Sequence, residues 1–124
     1  MASIIEKETA LAAERSLIAG VFVRRLQKKM KLQTDPTVIY AMGNQYNGNI
    51  KKKDLNIDSP YNTYRYHGLP PSPIALAGQA AIYASLHPEL DETLYFVAKK
   101  DGSHYFSKTL EEHNRAVKKY QLNK

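Results

Sequence analysis

The sequence predicts an α+β domain: helices plus a small antiparallel hairpin. Three observations carry that expectation. An amphipathic run near the start has helical spacing, two short β-prone runs flank an Asp-Gly pair, and a capped amphipathic run closes the chain. Between the first and second of these lies a long stretch rich in Asn, Tyr, Gly and Pro. The 124 residues suffice for one domain with one modest core, expected over residues 1–124.

Ser3 to Thr9 reads as the end of a helix, with Ile4 and Ile5 as an apolar face and Glu6 and Glu8 flanking Lys7. The motif stands so near the first residue that its preceding helical turns are expected to lie outside this chain. From Ala10 to Lys29, Leu17, Ile18, Val21, Phe22, Arg25 and Leu26 form one broad helical face. Arg24, Lys28 and Lys29 complement the dipole at its end. From Gln33 to Pro73 apolar periodicity is lost, and Pro36, Pro60, Pro70, Pro71 and Pro73 break regular structure. Only Thr37–Met42 and Thr63–Leu69 are suited to a short strand or a helical turn. A loop region of this length in a compact domain is a candidate for function, and its aromatic content points the same way. Ala75–Leu86 reads as a helix stopped by His87-Pro88. Leu94–Ala98 and His104–Ser107 read as a hairpin around Lys99–Ser103. Thr109 with Glu112 three residues on is a capping box, opening a last helix with Leu110, His113, Val117 and Tyr120 on one face.

Composition excludes several chemistries. With no cysteine there is no disulfide, thiol nucleophile or zinc–thiolate site. The four histidines lack metal-ligand spacing, so no metal is expected. Phosphate-loop, HExxH and EF-hand patterns are absent, and no serine sits in a nucleophile elbow. No apolar run approaches the ~20 residues of a membrane span, and the start lacks the pattern of a secretory signal. The net charge of +6, from 18 Lys and Arg against 12 Asp and Glu, fits an anionic partner and equally fits plain solubility.

Carboxyls and the polar and aromatic groups of the middle stretch remain. Glu6 directly follows two isoleucines. A carboxyl against an apolar wall is costly to ionise, which would raise its pKa toward what a general acid needs. Taken alone, the same residues also read as a solvated helix end.

The motifs Ala2-Ser3-Ile4-Ile5-Glu6-Lys7-Glu8-Thr9 and Leu32-Gln33-Thr34-Asp35-Pro36-Thr37-Val38-Ile39-Tyr40 resemble those of the YceG-like family, the endolytic murein transglycosylases. Tyr46-Asn47-Gly48, Asp54-Leu55, Ser59-Pro60-Tyr61-Asn62-Thr63-Tyr64, Gly68-Leu69-Pro70-Pro71, Leu94–Ala98 and Glu112-His113-Asn114 continue the likeness in order over nearly the whole chain. Departures are few: Lys29-Met30, Pro70-Pro71-Ser72-Pro73-Ile74 and Ala77-Gly78 replace Gly-Met, Pro-Pro-Gly-Pro-Ile and Pro-Gly.

The resemblance implies a lysozyme-like fold and non-hydrolytic cleavage of peptidoglycan glycan strands between N-acetylmuramic acid and N-acetylglucosamine. The product would end in a 1,6-anhydro-muramyl ring, with no cofactor. It assigns Glu6 as acid and then base. The developing positive charge would be sheltered by Glu14 or by the substrate's own N-acetyl group. Gln33, Thr34, Asp35, Tyr46, Asn47, Tyr61, Asn62 and Tyr64 become the expected glycan-binding residues, with loop architecture as their competing role. Family members carry an N-terminal membrane helix and an extracytoplasmic module. This chain is then expected to be the catalytic piece of a protein held on the outer face of the bacterial inner membrane, where wall-synthesis enzymes could be partners. An older label for the family, aminodeoxychorismate lyase, would need pyridoxal phosphate, and the chain has neither a phosphate cup nor a lysine in a Schiff-base context.

Two other classes compete. A non-catalytic glycan-binding module, or a fragment too short to act, would use the same aromatic groove. A nucleic-acid binder would use Lys28, Lys29, Lys31 and Lys51-Lys52-Lys53, but no nucleic-acid motif accompanies them, so no nucleic-acid partner is expected.

Overall fold

The structure, a computed structural model, describes residues 1–9 and 11–122. It is α+β. In chain order the elements are α1 (Ala2–Glu8), α2 (Ala12–Gln27), α3 (Asp35–Met42), α4 (Gln79–Leu86), β1 (Tyr95–Ala98), β2 (His104–Ser107) and α5 (Leu110–Val117). Short 3-10 turns span Gly43–Gln45 and Lys52–Asn56, and a π-helical turn follows α5.

The core forms where α1, α2 and α4 meet. Ile4 and Ile5 of α1, Ile18, Ala19 and Phe22 of α2, and Ala81 of α4 close on Leu32 and Ile74. The α2 stripe read from the sequence supplies two of these, Ile18 and Phe22, and its Arg25 is buried with them. That guanidinium is satisfied there, donating from Nε to Leu94 O (2.7 Å) and from Nη1 to Lys31 O (2.8 Å) while stacking on Tyr95. The adjacent Arg24 ties α2 to the chain before the hairpin through Thr93, Glu89 O and Asp91. This approach is close: a Cβ on Gly20 would stand 2.5 Å from Glu89 O, so only glycine fits.

The hairpin forms from the two expected runs, pairing Tyr95 with Ser107 through Ala98 with His104, antiparallel. Phe96 meets Phe22 edge-on at 5.8 Å and joins hairpin to core. The α5 cap forms: Thr109 Oγ1 accepts from Glu112 N–H. Glu112 in turn accepts from Lys108 N–H and Tyr105 O–H, one residue displaced from an ideal capping box.

One segment takes the helical form among its expected alternatives, and two others depart from expectation. Thr37–Met42 is helical, within an α3 that starts at Asp35 with Pro36 in its first turn, where proline's fixed φ suits a helix start. Thr63–Leu69 is a run of turns, because Arg65 and Tyr66 N–H both bond back to Asn62 O. The fourth helix begins at Gln79 rather than Ala75. The preceding residues are pinned to α1 instead, Ile74 N–H by Ser3 Oγ (3.0 Å) and Gly78 N–H by Glu6 Oε1 (2.6 Å).

Candidate functional site

A cleft of about 330 Å³ opens between the end of α1, the Leu32–Asp35 turn, the hairpin and α5. Its polar wall is Glu8, Gln33, Thr34, Asp35 and Tyr64, and Phe96, Val97, Ala98 and Val117 form an apolar wall. Arg25, His104 and His113 border it as well.

Helical geometry decides which α1 carboxyl reaches the cleft. Glu8 lies four residues after Ile4 and three after Ile5, on the same inward stripe. Glu6 is turned away by about 200° relative to Glu8, at 100° per residue. Its carboxylate is spent on the Gly78 N–H at the start of α4. Glu6, the carboxyl expected to act on the glycan, does not line this cleft; of the two α1 carboxyls Glu8 does, beside Asp35.

Burial pushes the Glu8 carboxyl above its ordinary pKa, and the negative Asp35 nearby adds to this. A 2.5 Å hydrogen bond from Thr34 Oγ1 to Glu8 Oε2 and the charge of His104 pull the other way. Burial wins, so Glu8 holds its proton to higher pH than an exposed glutamate.

Thr34 is held by a buried threonine cluster. Its N–H donates to Thr63 Oγ1 (2.9 Å), its carbonyl accepts from Thr37 Oγ1 (2.8 Å), and Thr37 and Thr63 share a 2.9 Å hydroxyl contact. Gln33 N–H bonds Thr63 O, which holds Gln33 at φ +50°, a left-handed conformation that costs a non-glycine residue of order 1 kcal/mol or more. The turn therefore keeps its shape against local strain and turns Gln33 and Asp35 to the cleft. Tyr64 donates to Asp35 Oδ1 at 2.6 Å. Burial and Asp35 together push the Tyr64 phenol far above its ordinary range, so it is always a donor at physiological pH.

The expected binding residues divide. Gln33, Thr34, Asp35 and Tyr64 line the cleft together. Asn62 does not: fully buried, it donates to Leu55 O and Ile57 O and accepts from Tyr64 N–H, shaping the loop behind the cleft. Tyr61 packs on the core and on Tyr40, with its hydroxyl on Ser72. Tyr46 caps the 3-10 turn at Gly43–Gln45, and Asn47 bonds Asn49 N–H, both in the loop beyond α3 and away from the cleft wall. Glu14 does not line the cleft: both carboxylate oxygens are occupied by His104, one by its N–H and one by Nδ1, each at 2.8 Å. The cleft also uses residues not expected from the sequence. Arg25 and His113 border it through α2 and α5, and burial together with Arg25 lowers the pKa of His113. The signals were present: Glu8 by helical spacing from Ile4 and Ile5, and His113 by its place on the inward face of α5.

A small helical core with a hairpin, and a cleft holding one sheltered carboxyl, define a class of protein, and the chain belongs to the YceG-like family, whose model matches residues 1–119. It is 55% identical over 120 residues to the endolytic murein transglycosylase of Bacillus subtilis strain 168, covering 97% of this chain and 33% of that protein. It is 41% identical over 123 residues to the endolytic murein transglycosylase of Streptococcus pneumoniae strain D39, covering 94% and 22%. A crystal structure of a YceG-like protein from Listeria monocytogenes superposes with a TM-score of 0.88 at 54% identity, over 94% of this chain and 38% of that one. The chain thus spans a third or less of the length of these curated relatives.

Proposed function

We propose that the chain is the catalytic domain of a longer peptidoglycan lytic transglycosylase with a lysozyme-like arrangement, and that Glu8 is its acid and then its base. The observation that carries this is Glu8 itself, a carboxyl at the wall of a polar cleft whose pKa burial pushes up. The names of the relatives, endolytic murein transglycosylases, support the substrate class.

In this reading a glycan strand lies along the cleft with the bond between N-acetylmuramic acid and N-acetylglucosamine at Glu8. The Glu8 carboxyl gives its proton to the glycosidic oxygen as the C1–O bond breaks, and the leaving sugar departs as an alcohol. The Glu8 carboxylate then takes the proton of the C6 hydroxyl as O6 bonds to C1. A 1,6-anhydro ring closes, no water is consumed, and Glu8 regains its proton. One carboxyl suffices because the substrate supplies the nucleophile, whereas hydrolysis needs a second carboxylate. Intramolecular attack carries the advantage of proximity. Thr34 commits Oε2 of Glu8, which leaves Oε1 to move the proton. With Glu14 tied to His104, the substrate's N-acetyl group is the shelter for positive charge at C1. Gln33, Asp35 and Tyr64 offer donors and acceptors to the sugars. Such a substrate lies outside the cytoplasmic membrane, so the full-length protein would work on its outer face, beside wall-synthesis enzymes. Among the described residues no helix is long and apolar enough to cross a membrane, so an anchor would come from elsewhere in a longer chain.

The test is mass spectrometry of glycan strands treated with the protein, with Glu8→Gln and with Glu6→Gln. Anhydro-muramyl ends from the parent and from Glu6→Gln, and none from Glu8→Gln, are expected. Reducing ends would refute the non-hydrolytic step, and anhydro ends lost only in Glu6→Gln would return the role to Glu6.

A further inference from the structure

His104 is a further ionisable group at the cleft, and its setting is fixed from two sides. It begins β2, which brings its backbone N–H and its ring to the same carboxylate on α2. Glu14 Oε2 accepts the N–H and Glu14 Oε1 accepts from Nδ1, each at 2.8 Å. The side chains of His104 and Glu14 are only 7% and 12% exposed. The ring stands edge-on to Phe96 at 5.4 Å and leans on Phe106, so it has one orientation.

A carboxylate can only accept, so Nδ1 carries the proton of this bond and Nε2 is the ring nitrogen that Glu14 leaves unengaged. Glu14 lies in the first turn of α2, where the helix dipole favours the anion that a cationic His104 needs beside it. The ring borders the cleft that Glu8 borders.

We propose that the Glu14–His104 pair is a positioning device for Glu8: the tethered imidazole stabilises the Glu8 carboxylate that exists between the two proton transfers. The inference rests on Glu8 being the acid-base residue. Its logic is electrostatic. The acid step needs Glu8 neutral, which burial and Asp35 favour, while the intermediate needs it ionised, which Thr34 and His104 favour. The other groups facing this part of the cleft are Arg25 and Tyr64, and His113 from α5. Arg25 is spent on two backbone carbonyls and on the Tyr95 ring. Tyr64 is spent on Asp35, and burial lowers the pKa of His113. Of the basic groups named here, His104 is the one with a carboxylate built behind it.

His104→Asn keeps a donor near the Nδ1 position for Glu14 and removes Nε2, so it separates the charge from the fold. We expect the alkaline limb of kcat/KM, set by Glu8 holding its proton, to move up by about one pH unit. The maximal rate should fall about tenfold or more, because the ionised intermediate has lost its support. Glu14→Gln should move the limb the same way by less. Carboxyl-¹³C titration of Glu8 in the parent and in Glu14→Gln reads the same displacement without activity, and stands where His104→Asn fails to fold. Glu8→Gln is measured alongside. If Glu8→Gln remains active, the reading of Glu8 fails. If Glu8→Gln is inactive but neither the limb nor the Glu8 titration moves in the pair variants, the reading stands and the pair is only structural.

Discussion

Two carboxyls stand two residues apart on α1, in opposite surroundings. Glu6 leaves the helix on the side of α4 and closes on a backbone N–H at that helix's start. Glu8 follows the line of Ile4 and Ile5 inward and opens on a polar cleft where it meets a threonine hydroxyl, an aspartate and a histidine. The first is engaged by a backbone N–H at the start of a helix. The second has surroundings that penalise the anion. An acid that must yield a proton and recover it belongs in the second setting, and a carboxylate that fastens two helices belongs in the first.

The largest effect that would break this comparison is on turnover. Glu8→Gln should lower the rate of anhydro-end formation by about 10²–10⁴-fold, the range for a lost general acid, while Glu6→Gln changes it little. Equal losses would mean the two carboxyls share a role that their surroundings do not divide.

Next in size is Thr34→Val. It removes the hydroxyl that holds Glu8 Oε2 and its contact with the threonine cluster keeps the turn in place. Activity should fall roughly tenfold, and stability by about 1–3 kcal/mol for a buried hydrogen-bonding group left alone. Glu8 should titrate at higher pH, since the hydrogen bond that favours its anion is gone. A pH–rate profile with an unmoved alkaline limb would show that Thr34 shapes the turn and leaves Glu8 untouched.

The same carboxyl gives stability a pH dependence of known sign. The pKa of Glu8 is raised in the folded state above its ordinary 4.5. The folded protein therefore binds the proton more tightly than the unfolded chain. This contribution is fully present below about pH 4.5 and is lost as pH rises through the folded value. Glu8→Gln, neutral throughout, should melt at higher temperature than the parent near neutral pH, and the gap should close toward pH 4. A gap independent of pH would mean that Glu8 is ionised in the folded protein at no cost.

Much of the fold was legible because it rests on local signals. The α2 stripe, the hairpin around Asp101-Gly102 and the Thr109 cap each depend on residues close in sequence, and each formed. What was not legible depends on distant partners. The start of α4 is set by Ser3 and Glu6, more than seventy residues away. Asn62 and Tyr64 sit two apart in one motif, yet three backbone groups of the loop claim the first and Asp35 the second. Glu14 looked like a cleft carboxylate until the hairpin brought His104 onto it. Which α1 carboxyl lines the cleft was within reach: adjacency in sequence draws attention to Glu6, whereas adjacency on a helix, four from Ile4 and three from Ile5, points Glu8 inward.

The smallest expected effect tests the quiet side of the comparison. A Cβ on Gly78 would stand 3.0 Å from Glu6 Oε1, close enough that the carboxylate must give way by a few tenths of an ångström. The backbone there, φ −74° and ψ 166°, suits alanine. Gly78→Ala thus disturbs the Glu6 contact with no strain of its own. Glu6→Ala removes that contact outright. If Glu6 serves α4 as a cap supplied from another helix, Glu6→Ala should cost about 1 kcal/mol of stability and Gly78→Ala less. The two together should cost little more than Glu6→Ala alone, because they act on one contact. Additive losses in a chemical denaturation cycle would show that the carboxylate and the α4 start are held separately. If Glu8 is the acid-base residue as proposed, neither change should alter the pH dependence of catalysis.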